Sequence, residues 1–339
     1  MTEREADSPY ADPTPDEPPL RGRTAEHPYQ LPWRGWRDVL GRVLKEIRED
    51  RLEIIAAGVA FYCLLAIGPA LAALVSFYGL FAEPSDLESL IASVVELTPS
   101  ASHGLLLDDM LRPAIEAAST SLTWGAALSI VLSLWSANRG MKAMMTGINV
   151  AYEESTQRGF IKQTLLSFGL MTAAVVMLAF VSIAVVAFPH LLSVTEIGEQ
   201  FASLLSIMRW PLLFLLFLGG LAVMYRYAPV RTSPRWSWVS VGSIAATLLW
   251  LGFSGLFSIY SRHFLEMRGG YGAITGVVAL ALWLFGTAWV ILLGAELNAE
   301  VEHQTGRDTT VGPRKPLGQR GAHVADHIGK AWSRDDAAG

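Results

Sequence analysis

Residues Ser133–Glu154 read SLWSANRGMKAMMTGINVAYEE. The stretch begins as the end of an apolar run, then takes on Asn138, Arg139, Lys142, Thr146, Asn149 and Glu153 with no proline to break a helix. Written on a helix, Asn138, Lys142, Thr146, Asn149 and Glu153 fall four, four, three and four residues apart and share one stripe. A polar stripe continuing a membrane-length apolar helix must face protein, water or headgroups, because hydrocarbon does not solvate it. The stretch predicts a membrane protein whose other helices form a bundle around this one.

Composition agrees. The 339 residues are 52% hydrophobic and only 17% charged, with a mean hydropathy of +0.36, whereas soluble domains carry about 25% charged residues. The deficit lies in the middle of the chain and both ends are polar, which is the pattern of a membrane core with aqueous tails. A formal net charge of −5 gives no basis for a nucleic-acid partner. A lone cysteine, Cys63, excludes an intrachain disulfide or a cysteine-rich metal site. The polar, proline-rich start of the chain does not read as a cleavable signal peptide.

Working outward, the quoted stretch completes a second span that starts near Leu122. Before it, Ile54–Phe81 is long enough to cross about 30 Å of hydrocarbon and carries Pro69, a candidate hinge. Between these two spans, residues 83–121 form the one long loop. Ser85 and Glu88 make a capping box there, and the acidic segment reads as a small helical cap outside the membrane. Four further spans follow, near Thr164–Phe188, Leu204–Tyr227, Trp238–Tyr260 and Ala273–Asn298, with Pro211 a second candidate hinge. Residues 1–32 are too polar and proline-rich to order themselves. Residues 33–52 alternate Trp36, Val39, Leu40, Val43 and Ile47 with arginines and lysine, and read as an amphipathic helix on the membrane surface, anchored by Trp33 and Trp36. A helix packed on the protein's own loops fits the same pattern. Residues 303–339 read as a disordered tail. Lys and Arg concentrate in the N-terminal flank, the second-to-third and fourth-to-fifth connections and the C-terminal tail, with Arg262 and Arg268 against the pattern. The positive-inside rule then places both termini in the cytoplasm, with residues 53–302 as a six-span, all-α membrane domain.

Three fragments carry a family resemblance. They are Ala57-Gly58-Val59-Ala60-Phe61-Tyr62 leading to Pro69; Trp135-Ser136-Ala137-Asn138-Arg139-Gly140 with Asn149-Val150-Ala151-Tyr152-Glu153; and Tyr271-Gly272-Ala273-Ile274, Trp283 and Leu293-Gly294-Ala295-Glu296-Leu297-Asn298. In this order they resemble the YihY/BrkB envelope-integrity membrane proteins over roughly Trp36 to His303, leaving both tails uncovered. Phe61 stands where tyrosine is commoner in the family. The resemblance implies a multi-pass protein of the bacterial inner membrane, linked to envelope integrity, for which lipid or solute transport is an expectation. It also implies that the family's former ribonuclease label is a misassignment.

The candidate site residues are Asn138, Arg139, Lys142 and Asn149 on the second span and Glu296 and Asn298 on the last. Arg139 and Lys142 either snorkel to headgroups or line a cytoplasmic cavity that offers positive charge to an anionic amphiphile. Glu296 and Glu300 lie one turn apart, and Glu296 reaches Arg139 or Lys142 if the two spans are neighbours. The aromatic stripe Trp250, Phe253, Phe257 and Tyr260 reads as packing or lipid-facing surface. No HExxH or paired-histidine spacing and no Walker motif occurs, so no catalytic residue, metal or cofactor is expected. Membrane lipids are the expected partners, and the sequence leaves the oligomeric state open. The function reading is a secondary or passive transporter or flippase of a lipid or anionic amphiphile. Its alternatives are a non-transporting envelope scaffold and, remotely, a membrane-bound ribonuclease.

Overall fold

The computed structural model describes residues 21–78, 124–155, 158–182, 199–266 and 272–331. The expected outer cap at 83–121 and the first twenty residues lie outside that set. The long elements are helices: α1 (Trp33–Glu49), α2 (Leu52–Tyr78), α3 (Trp124–Ala151), α4 (Phe160–Ser182), α5 (Glu199–Tyr227), α6 (Trp236–Glu266) and α7 (Gly272–His303), followed by the short α8 (His323–Asp326). Among the described residues, five helices (α2, α4, α5, α6 and α7) are long and apolar enough to cross a membrane. The chain is an all-α, multi-pass membrane protein. The 28-residue α3 packs among them, its hydropathy diluted by the polar stripe in its second half.

The bundle is organised around α7 rather than around the α3 stretch that the sequence put at its centre. A helix apolar on every side belongs inside a bundle, and α7 touches α1, α2, α3, α6 and α8. Glycines set its closest crossing. A Cβ on Gly242 of α6 would run into the Gly294 carbonyl of α7, and one on Gly294 would lie 2.7 Å from the Ala246 Cβ. Asn298 ties the two helices at that point: its Oδ1 accepts the Gly242 N–H at 2.7 Å, and its Nδ2 donates to the Val239 carbonyl at 3.2 Å. The Tyr225 hydroxyl of α5 donates to the Ile291 carbonyl at 2.7 Å. In a bilayer, helices gain nothing from hiding apolar surface from one another, so small residues and interhelical hydrogen bonds hold them together. The widest contact in the bundle joins α2 to α3, where Gly140 sits against Cys63 and Tyr62.

The C-terminal stretch differs from the disordered tail expected of it. Residues 304–331 form a layer over the end of the bundle where α3 and α7 finish. Arg320 is buried and donates to the carbonyls of Gly306, Lys315 and Ala325. Asp326 accepts from the backbone N–H groups of Arg320, Gly321 and Ala322. Residues 21–32, expected as part of a disordered N-terminal tail, contribute to the same layer. Gln304 donates to the Arg21 carbonyl and Thr305 to the carbonyls of Arg23 and Ala25. Apolar burial was the criterion behind the expected disorder. These segments instead order themselves by satisfying buried polar groups mutually, which hydropathy does not register.

Helix α1 packs Val39 and Val43 on Trp238 and Val301. Asp38, buried beneath it, accepts from Arg21 at 2.8 Å. Its outer face exposes Trp33, Arg37, Leu40, Leu44 and Arg48.

Candidate functional site

The polar stripe of α3 turns toward α4 and the end of α5. Asn138, at its start, is buried, and its Oδ1 has no hydrogen-bond partner among the described residues. Lys142 Nζ donates to Thr164 Oγ1 of α4 at 3.0 Å and lies over the Phe160 ring. Thr146 bonds back to the Lys142 carbonyl. Asn149 Nδ2 donates to the Met145 carbonyl, and its Oδ1 accepts the Val230 N–H at 2.7 Å, so it holds the turn that leaves α5. Arg139 is on another face, exposed, with its guanidinium over the ring of Trp135.

Two voids follow one another along α3 and α4, the first beside the turn after α5 and the second beside α5 itself. At the helix ends a polar vestibule of about 360 Å3 is lined by Thr146, Asn149, Glu154, Arg158 and Gln163, among others. Arg158 donates to the carbonyls of Tyr227, Ala228 and Pro229 at 2.6–3.0 Å. Its positive charge thus meets the negative end of the α5 dipole, while partial burial draws its pKa below the ordinary arginine value. Glu154 accepts the His323 N–H at 2.9 Å from the C-terminal layer. Burial pushes its pKa up, and that hydrogen bond only partly offsets the rise. Deeper along the same helices lies an apolar cavity of about 690 Å3. Gly140, Met141 and Met144 of α3 line it, with Leu170 and Met177 of α4 and Gly219 and Gly220 of α5. Gly219 has nothing within 4 Å of its absent Cβ, whereas a Cβ on Gly220 would meet Met177 Sδ at 2.9 Å.

The remaining sequence candidates sit elsewhere. Glu296 is buried on α7, and its Oε2 has no hydrogen-bond partner among the described residues; Arg139 and Lys142 face other groups. The ion pairs of this end join Arg42 with Glu300 and Arg231 with Glu302; of these four residues only Glu300 was singled out from the sequence. Burial opposes the Arg231 charge, but Glu302 overrides it and holds the guanidinium protonated. Asn298 is engaged by the backbone of α6 and Asn149 lines the vestibule. Pro69 and Pro211 lie inside continuous helices, with Pro211 exposed. The aromatic stripe on α6 packs at Trp250, which stacks on Phe217 at 4.6 Å and donates to Thr287 Oγ1, and is exposed at Tyr260. Arg158, Met177 and the Gly219-Gly220 pair were missed. The paired glycines inside an apolar helix were the available signal.

Residues 43–317 match the family model described as Virulence factor BrkB. The ribonuclease-like protein YfkH of Bacillus subtilis is 28% identical over 255 residues, covering 72% of this chain and 88% of that protein. UPF0761 membrane proteins of Tolumonas auensis and Psychromonas ingrahamii are each 26% identical, covering 80% and 77% of this chain and 87% and 86% of theirs. No solved structure matches the chain.

Proposed function

This chain belongs to the BrkB family of multi-pass membrane proteins, and on that footing we propose that it takes up a lipid or other anionic amphiphile between α3, α4 and α5 and moves it across or within the bilayer. The observation that carries this reading is the succession of a polar vestibule and an apolar cavity along α3 and α4, with the turn after α5 closing the first and α5 itself the second. A headgroup needs hydrogen-bond donors and positive charge, and an acyl chain needs a dry slot. The cavity falls within the roughly 300–1,000 Å3 common for ligand sites. Lys142 and Arg158 supply positive potential beside the vestibule, and Asn149 and Gln163 supply amide groups. The hinges are Pro69 in α2 and Pro211 in α5, helices that flank or line the cavity.

In this reading α3 also crosses the membrane, as the second of six spans, both termini are cytoplasmic, residues 83–121 lie outside, and the membrane is the bacterial inner membrane. Arg139 snorkels to the headgroups with Trp135, and the Trp33–Arg37–Leu40–Leu44–Arg48 face of α1 rests in the interface. The protein acts without a catalytic step, and the ribonuclease-like name stays with the Bacillus relative. A second reading, a non-transporting envelope scaffold, is favoured by the well-bonded layer at residues 304–331, which offers a docking surface unrelated to the cavity.

Reconstitution in liposomes separates the two. Fluorescent anionic phospholipid should redistribute between leaflets faster than in protein-free vesicles. Gly219→Trp fills the cavity at a position with open space around it, and should abolish the redistribution while the protein stays folded. Redistribution at the protein-free rate by the wild type would favour the scaffold.

A further inference from the structure

We propose that Glu153, Glu300 and His303 bind a divalent transition-metal ion of the Zn2+ or Mn2+ class, which latches the C-terminal layer to the ends of α3 and α7. One ligand atom from each of these residues lies within 4.8 Å of the others. His303 Nδ1 is 3.7 Å from a Glu300 oxygen and 3.9 Å from a Glu153 oxygen. These separations are too long for hydrogen bonds. Donors bound at 2.0–2.2 Å to one ion sit roughly 3–3.6 Å apart, so a small inward movement completes the set.

Three further observations point into the same place. The Nδ1 atoms of His303 and His323 are buried without a hydrogen-bond partner among the described residues, an arrangement that costs stability unless something binds there. His323 Nδ1 lies 3.4 Å from the second Glu153 oxygen, the position of an outer partner that orients a ligating carboxylate. Glu296, only 2% exposed, sits one turn before Glu300 with an unpartnered Oε2. Against these carboxylates stands Arg42, bonded to Glu300 Oε2, which leaves Glu300 Oε1 toward His303. Lys45 reaches Glu46 and Glu49 instead. A divalent cation neutralises this surplus. Imidazole nitrogen with carboxylate oxygen and no thiolate favours Zn2+ or Mn2+ over Ca2+ or Mg2+, which prefer oxygen alone. The ligands come from two helix ends, with the outer histidine from the C-terminal layer, so no compact motif announces them.

The test uses the full chain in detergent, without a polyhistidine tag and stripped by chelator, titrated with Zn2+, Mn2+, Ca2+ and Mg2+. One Zn2+ or Mn2+ per chain should bind and raise Tm, with Ca2+ and Mg2+ far weaker. His303→Ala and Glu153→Gln should each weaken binding at least tenfold, and His323→Ala by roughly 10–100-fold. His27→Ala, whose ring stacks on Tyr29, should bind like the wild type. Glu153→Gln also guards against misfolding: it removes a carboxylate from a crowded group, so its metal-free Tm should equal or exceed that of the metal-free wild type. A wild-type Tm unmoved by Zn2+ and Mn2+, or binding that survives both Glu153→Gln and His303→Ala, overturns the proposal.

Discussion

The bundle is packed tight at some of its glycines and left open at others. On α6 and α7, Gly242 and Gly294 each sit where a neighbouring helix fills the space of the missing side chain. On α4 and α5, Gly169 and Gly219 have nothing within 4 Å. The burial of the spans follows the same division: 33% of the apolar window of α7 is buried, and 11% of that of α4. Small residues in membrane helices are thus of two kinds. Those at crossings let backbones approach and hold the bundle rigid. Of those facing space, Gly219 opens onto the apolar cavity.

The sharpest way to break this contrast is Gly242→Leu. The new side chain collides with the Gly294 backbone and the Asn298 amide, so no monodisperse protein should survive extraction, as read by size-exclusion chromatography. Next in size is Arg231→Ala. Arg231 leaves the end of α5 and pairs with Glu302 of α7, which also accepts from Thr309; it is a tie between α5, open at Gly219, and α7, packed at Gly294. Removing one partner of so buried a pair costs about 3–5 kcal/mol, seen as a large fall in Tm.

Glu46 gives a smaller, pH-dependent effect at the packed end. Burial first, then Glu49, pushes its carboxyl to about 7, against the pull of Lys45. Its folded pKa is above its unfolded value, so the penalty is absent below the ordinary carboxylate range, grows as pH rises and is complete above about 7. Glu46→Gln in chelator-stripped protein should therefore stabilise at pH 8, by roughly 1 kcal/mol after discounting for partial exposure, and be neutral at pH 4. Gly169→Ala should do least. With open space at its Cβ, it should add up to about 1 kcal/mol of stability and so keep or slightly raise Tm, where a leucine at Gly242 is fatal.

Much of the helical layout was legible because apolar length is a strong signal. Hydropathy and spacing delimited α1, α2 and α4 to α7 to within a few residues at most ends; along the polar stripe of α3, Asn138 is buried while Thr146 and Glu153 are exposed. The choice of central helix was not legible. The stripe drew attention to α3, but α7 is central because it is apolar all round and carries Gly294 and Asn298 at its crossing with α6. Glu296 was to reach Arg139 or Lys142 if α3 and α7 were neighbours; the two helices touch, and the two bases face Trp135 and Thr164. Pairings such as Arg42 with Glu300, 258 residues apart, depend on how the helix ends converge. Residues 304–331 were misjudged because their order comes from groups like Arg320 and Asp326 satisfying one another.

The central claim is that the space between α3, α4 and α5 holds an amphiphile, and photolabelling addresses it most directly. A phospholipid with a photoactivatable acyl chain, added to the protein in vesicles, should label Met141, Met144 and Met177, and the labelling should vanish in Gly219→Trp. Labelling spread evenly over the exposed faces of α4 and α6, and unchanged in Gly219→Trp, would contradict it.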